Sequence, residues 1–224
     1  MCAVYRTAPE RAQAGQRTVR TDDLTHVQAL ERLAPDLPPR PGRVARREFE
    51  YVRHGTCSFF INFDVASGQV VSPSGGPTRT EADCVAHVRR TVDSDPTASQ
   101  WHFVVDNLDI HRSASLARYV AELAGITDDL GTKYVCGVLR SRATRAAFLS
   151  DPSHPIVFHY TPKHASWLNQ VEIWLGILVR KLLRRGTFRS VQDLRDQVLA
   201  FIAYFNQTMA KPFKWTYQGK PLQV

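Results

Sequence analysis

Three carboxylates of this 224-residue chain stand where an acidic cluster could form: Asp22, Asp106 and Glu172. Asp106 closes the apolar run WHFVVD, and in open α/β sheets ligands bind at the carboxyl ends of strands. An Asp-Asn pair after a strand is also an ordinary turn former, so position alone leaves both roles open. Glu172 follows HASWLNQV among the apolar neighbours Leu168, Val171, Ile173, Trp174 and Leu175. With Asn169 as N-cap it would complete a helix-capping arrangement. Otherwise, a partly buried carboxylate there needs a cation or donors to satisfy it. Asp22 comes in by topology, because a first strand must precede the hairpin described below, and Thr18 to Asp22 is the best candidate. Its rival Asp64 ends INFD, where a turn with Ser67 and Gly68 accounts for it locally. Three carboxylates gathered at one sheet end repel one another unless cations neutralise them, and Mg2+ or Mn2+ prefers carboxylate and water oxygens. Such a cluster suits two-metal phosphoryl transfer, one ion activating the attacking oxygen and the other stabilising the leaving oxygen.

The elements that must carry these groups follow from periodicity. A short helical piece within residues 1–16 ends at Gly15. CSFFINFDV (57–65) and GQVVS (68–72), joined through Ala66, Ser67 and Gly68, read as a hairpin. Residues 78–93 read as a helix, 101–107 as a strand covered on both faces, and Ser113 opens a helix to Leu123. Residues 124–154 read as irregular, before the strand 155–160. Apolar residues at 168, 171, 175, 178 and 182 mark one helical face until Gly186 stops it. A last helix, capped by Ser190 with Asp193 three residues on, buries Val191, Leu194, Val198, Phe201 and Phe205. This order describes an α/β protein, a mixed sheet flanked by helices, with a ribonuclease-H-like architecture.

Composition narrows the setting. An apolar fraction of 43% with 22% charged residues excludes disorder for most of the chain. The longest apolar run, Val198 to Phe205, is far short of the roughly 20 residues that span a bilayer, and no secretory signal opens the chain, so no membrane partner and a cytoplasmic location are expected. Cys2, Cys57, Cys84 and Cys136 form no C-x-x-C pair and fit neither a zinc framework nor a disulfide scaffold. The net charge of +8 and a pI near 9.6 point to an anionic partner, nucleic acid before membrane. Residues 34–48 concentrate that charge: four prolines with Arg40, Arg43, Arg46 and Arg47 describe an extended, exposed arm. Arg180, Lys181, Arg184 and Arg185 crowd the end of the Glu172 helix, where cations also suit the helix dipole.

The runs TDDLTHVQALER, VVDNLDIH, YTPKHASWLNQVEIWLGILVRKLLRRGTFRS and FNQTMAKPFKWTYQGKPL, with LPPRPGRVARREFEYVRHGT, resemble the DDE endonuclease domain of bacterial insertion-sequence transposases, in the branch related to mariner elements. The blocks HASWLNQVE and KPFKWTYQG are the specific ones, and the resemblance covers nearly the whole chain. It implies a ribonuclease-H-like domain over 17–224 after an N-terminal linker remnant at 1–16, two Mg2+ or Mn2+ ions, cleavage at transposon ends and transfer of the freed 3′ hydroxyl to target DNA, with a homodimer on double-stranded DNA. By motif it places the acidic triad on Asp22, Asp106 and Glu172. Asp23 stands where the family usually has Glu, and only 21 residues precede Asp22, so the helix-turn-helix region that family members carry there is expected to be missing. The spacing of 66 between Asp106 and Glu172 is long, and the stretch 124–154 accounts for it.

Within that reading the two groups of basic residues become phosphate contacts, which position DNA without reading its sequence. His164 and Trp167 could touch DNA or stack on a base, with packing of the helix entry as the alternative for Trp167. His111 reads as a structural histidine, and Phe213 and Trp215 as residues packing the C-terminal segment onto the core. Two other functions share the same residues: an inactive DNA-binding relic, and a structure-selective nuclease of the same fold.

Overall fold

β1 (Gln16–Arg32) is the central strand of the sheet in the computed structural model of the protein, which describes residues 2–162 and 170–215. The elements before it are two short helices, α1 (Cys2–Arg6) and α2 (Ala8–Gln13). After it come β2 (Tyr51–Asp64), β3 (Val70–Gly76), α3 (Glu81–Asp93), β4 (Gln100–Val105), α4 (Ala114–Leu123), α5 (Arg142–Leu149), β5 (Ile156–Tyr160), α6 (Gln170–Leu178) and α7 (Val191–Thr208). The five strands run in the order β3-β2-β1-β4-β5; β2 is antiparallel to both β1 and β3, whereas β1, β4 and β5 are mutually parallel.

Strand alternation sorts the core into two layers. On one face Phe59, Ile61 and Phe63 of β2 pack against Val171, Trp174, Leu175 and Leu178 of α6 and Leu194, Val198, Ile202 and Phe205 of α7. On the other, Val19, Trp101, Phe103, Val105, Ile156 and Phe158 pack against α3 and α4. β4 is buried from Trp101 to Val105 because helices cover both its faces. Tyr5 and Ala8 of α1 and α2 are buried with Val65 and Val104. Phe213 stacks on Phe63 with centroids 4.9 Å apart, and Trp215 lies 4.9 Å from Tyr5, which fastens the C-terminal segment to the core.

Helix starts follow their caps. The Thr80 hydroxyl accepts from the Asp83 amide while the Asp83 carboxylate accepts from the Thr80 amide, so α3 opens at Glu81 rather than at 78. Ser113, Ser141 and Ser190 cap α4, α5 and α7.

Four elements differ from the sequence expectation. β1 runs ten residues beyond Asp22, because its outer part, Val27–Arg32, pairs with Tyr51–Cys57 in a ribbon that stands largely outside the core. With little of it buried, the alternation that marks a strand is absent there. β3 is displaced to Val70–Gly76 since the turn consumes residues up to Gln69. Residues 124–154 are not irregular throughout: α5 lies inside them. Its Arg145 is buried, giving hydrogen bonds to the carbonyls of Arg112 and Leu139, so a basic sequence hides a helix whose arginine is structural. The helix expected up to Gly186 changes at Leu178 into one π turn, Val179–Leu183. Leu168, its first expected residue, lies outside the described residues.

Candidate active site

The parallel pairing of β1 and β4 matches Gln16 with Gln100 and Arg20 with Val104 in unbroken register. Continued by two residues, it brings Asp22 level with Asp106 on adjacent strands, about 4.8 Å apart in backbone. Asp22 is paired with Ile61 on its other side, so alternation puts its side chain on the face that α6 and α7 cover. Glu172 stands exposed in the first turn of α6, and α6 packs on that same face through Val171 and Trp174. The register thus points Asp22, inside β1, toward the residue that follows the end of β4, with Glu172 on a helix packed over the same face. Among the described residues, no three His, Cys, Asp or Glu side chains are gathered closely enough to hold a metal ion.

Asp106 is held by its own loop. Its Oδ1 accepts from the Leu108 amide at 3.0 Å and from His111 Nδ1 at 2.8 Å. His111 lies in a 3-10 turn, Asp109–Arg112, and its ring is buried while the Asp106 side chain remains 37% exposed. Tyr160 donates its hydroxyl to the His111 carbonyl at 2.9 Å, tying that turn to β5. Burial pushes the Asp106 carboxyl up, but the His111 hydrogen bond, the Leu108 amide and the fields of His111 and Arg20 bring it below the usual carboxylate value. Both bonds fall on Oδ1, and among the described residues no hydrogen bond is made to Oδ2. Hard oxygen donors with one oxygen uncommitted fit a divalent ion of the Mg2+ or Mn2+ type. His111, read from the sequence as a structural histidine, is buried and directly partners Asp106; its spacing of five from Asp106 is the sequence signal for that contact.

The neighbouring acids are set apart. Asp23 lies on the opposite face, its side chain almost fully buried, and accepts from Arg79 Nη1 at 2.6 Å. Asp64 accepts from the Ala66 amide and the Ser67 hydroxyl, both at 2.9 Å, and shapes the β2–β3 turn.

The basic residues fall in two exposed groups. Arg40, Arg43, Arg46 and Arg47 form the tip of the β1–β2 ribbon, where Arg40 and Arg43 bridge across the turn Pro41-Gly42 and Leu37 pairs with Arg46. Gly42 has φ +74°, the conformation that position requires. Arg180 and Lys181 lie in the π turn, and Arg184 and Arg185 follow it. The ribbon base meets this end of α6: Arg32 donates to the Arg184 carbonyl at 3.2 Å, and the Phe188 amide to the Leu30 carbonyl at 2.8 Å. His164, Trp167 and Asn169 lie outside the described residues.

Comparison with known proteins bears on the family and the fold. The model of the family "DDE superfamily endonuclease" matches residues 19–195, and the chain belongs to that family. Among solved structures it resembles the Mos1 transposase paired-end complex with left transposon end, at 12% identity and a TM-score of 0.54, over 90% of this chain and 52% of that one. The Mos1 mariner paired end complex with Mn matches at 13% identity and a TM-score of 0.53, over 90% of this chain and 53% of that chain. The Mos1 Strand Transfer Complex matches at 12% identity and a TM-score of 0.53, over 90% and 52%. The fold is thus ribonuclease-H-like, a mixed five-stranded sheet flanked by helices, and the chain spans about half the length of the Mos1 chains it matches. No curated protein matches it significantly in sequence.

Proposed function

We propose that the chain is the catalytic domain of a DDE-type transposase, which cuts DNA strands at the ends of an insertion sequence and transfers them to target DNA with divalent metal ions. The observation that carries this reading is the β1–β4 register, whose continuation by two residues would set Asp22 level with Asp106 beneath the helix bearing Glu172, in a chain of the DDE endonuclease family. Asp22, Asp106 and Glu172 would hold two Mg2+ or Mn2+ ions. When bound, such ions activate an attacking oxygen and stabilise the leaving oxygen of a phosphodiester. The protein's own contribution is positioning. His111 fixes one oxygen of Asp106 and so sets how the other is presented. The ribbon continues β1 directly out of the site, and Arg40, Arg43, Arg46 and Arg47 at its tip, with Arg180, Lys181, Arg184 and Arg185 at the end of α6, provide phosphate contacts along a duplex. His164, which precedes α6 in the sequence and lies outside the described residues, is a further candidate DNA contact. A homodimer on paired transposon ends accords with the Mos1 paired-end complexes among the similar structures.

The test is Mn2+-dependent nicking of supercoiled plasmid at low salt by the wild-type protein beside Asp106→Asn and Glu172→Gln. Nicking by wild type alone is the expected result. Folded protein that binds DNA without nicking under any of these conditions overturns the enzymatic reading in favour of a DNA-binding relic. Cutting without any joining of a pre-cut end to target DNA reduces it to a nuclease.

A further inference from the structure

Two arginines are fully buried among the described residues, Arg20 and Arg145. Burying a guanidinium is costly unless its charge is answered, and it stays protonated at any ordinary pH. Arg145 is answered by two backbone carbonyls, as described above. Arg20 is 1% exposed and sits in β1 two residues before Asp22, level with Val104, itself two residues before Asp106. Alternation sets Arg20 on the same sheet face as Asp22, one side-chain step of about 7 Å back from the strand ends. An extended arginine covers that distance. Beneath it α1 and α2 close the face with Tyr5 and Ala8, so water does not screen the group. The field of Arg20 acts on both sides. It opposes the burial that pushes the Tyr5 hydroxyl up to about 12, and it helps lower the Asp106 carboxyl.

We propose that Arg20 is the resident counter-ion of the acidic pair: its fixed charge offsets part of the charge of Asp22 and Asp106 in the metal-free protein, so the two carboxylates are held close before any ion arrives. Divalent ions then share a neutralisation that the fold has already begun. Arg20 is a positioning residue, acting through the carboxylates. The metal half of this inference rests on the function proposed above, whereas the counter-ion half does not.

Thermal unfolding in EDTA and in Mn2+ separates the two. In EDTA, Arg20→Met should lower Tm by roughly 5–10 °C, the scale of an uncompensated buried charge in a domain of this size. Adding Asp106→Asn to Arg20→Met should recover at least half of that loss in EDTA, since one of the two opposed carboxylates is gone. Mn2+ should close the gap between wild type and Arg20→Met by a similar fraction. A Tm loss unchanged by Asp106→Asn overturns the proposal and leaves Arg20 a packing residue. Recovery by Asp106→Asn with no effect of Mn2+ on either protein upholds the counter-ion and sinks the metal reading instead. If Arg20→Met has no cooperative transition alone, its return in the double variant supports the proposal, and its continued absence overturns it.

Discussion

Asp22 and Asp23 are adjacent in sequence yet face opposite sides of the sheet, which divides one acidic pair into two jobs. Asp22 faces the side that α6 and α7 cover, while Asp23 is locked to Arg79 on the α3 side, so Asp23 stands apart from the acidic cluster proposed above. Asp106 owes its orientation to His111. A partner that orients a metal-binding group typically contributes about 10- to 100-fold in metal affinity or activity. His111→Phe keeps a ring of similar volume in the buried slot and removes the donor to Oδ1. It should weaken Mn2+ binding, measured by titration calorimetry, by about 10- to 100-fold with Tm changed by only a few degrees. Unchanged affinity would show that the Leu108 amide alone suffices to orient the carboxylate.

At the scale of elements, the ribbon decides how DNA could be approached. It prolongs the strand that carries Asp22, and its base is tied to the end of α6 through Arg32, Thr187 and Phe188. The ribbon base thus connects the strand that carries Asp22 to both basic groups. Because the tip arginines are exposed, their removal should leave stability nearly intact. Replacing Arg40, Arg43, Arg46 and Arg47 together with alanine should reduce the slope of log K against log salt for duplex binding by about 2 to 4, near 0.9 for each phosphate that is no longer neutralised. Binding measured by anisotropy between low and moderate salt checks this. An unchanged slope would exclude the tip from the DNA interface.

The whole molecule adds a dependence on acid. Burial pushes His87 down to about 3, and it pushes His102 and His159 down to about 4, with help from the nearby positive charge of Arg90 for His87 and Arg11 for the other two. His102 and His159 stack and share a hydrogen bond of 2.9 Å; His87 pairs with the Ser74 hydroxyl at 2.8 Å. All three are neutral in the fold near pH 7 but take up protons near 6.5 once unfolded. The unfolded chain thus binds more protons below about 6.5, and stability falls as the pH drops from there toward 4. Tm measured from pH 7.5 to 5 should decline, and the decline should be shallower in a His102→Gln, His159→Gln double variant. A Tm independent of pH over that range would mean that these rings are solvated in the folded protein. No helix among the described residues is long and apolar enough to cross a membrane, in keeping with the short apolar runs.

Local chemistry was readable in the chain itself. The apolar run before Asp106 announced a doubly covered strand, Ser113 and Ser190 announced helix starts, and the proline-arginine segment announced an exposed arm. Each of these depends on neighbours within a few residues, so the sequence holds the whole cause. The outer half of β1 and the helix α5 were not readable. The first is made by pairing with β2 residues 19 to 30 positions away, and the second is stabilised by carbonyls that accept from its buried Arg145. The same holds at the site. Candidate carboxylates can be picked by residue type and position, but their placement depends on a parallel register between β1 and β4, a helix returning over one sheet face, and a loop that turns His111 back onto Asp106. These pairings join residues far apart in the chain, and only tertiary structure decides them, because no local preference records which strand will lie beside which.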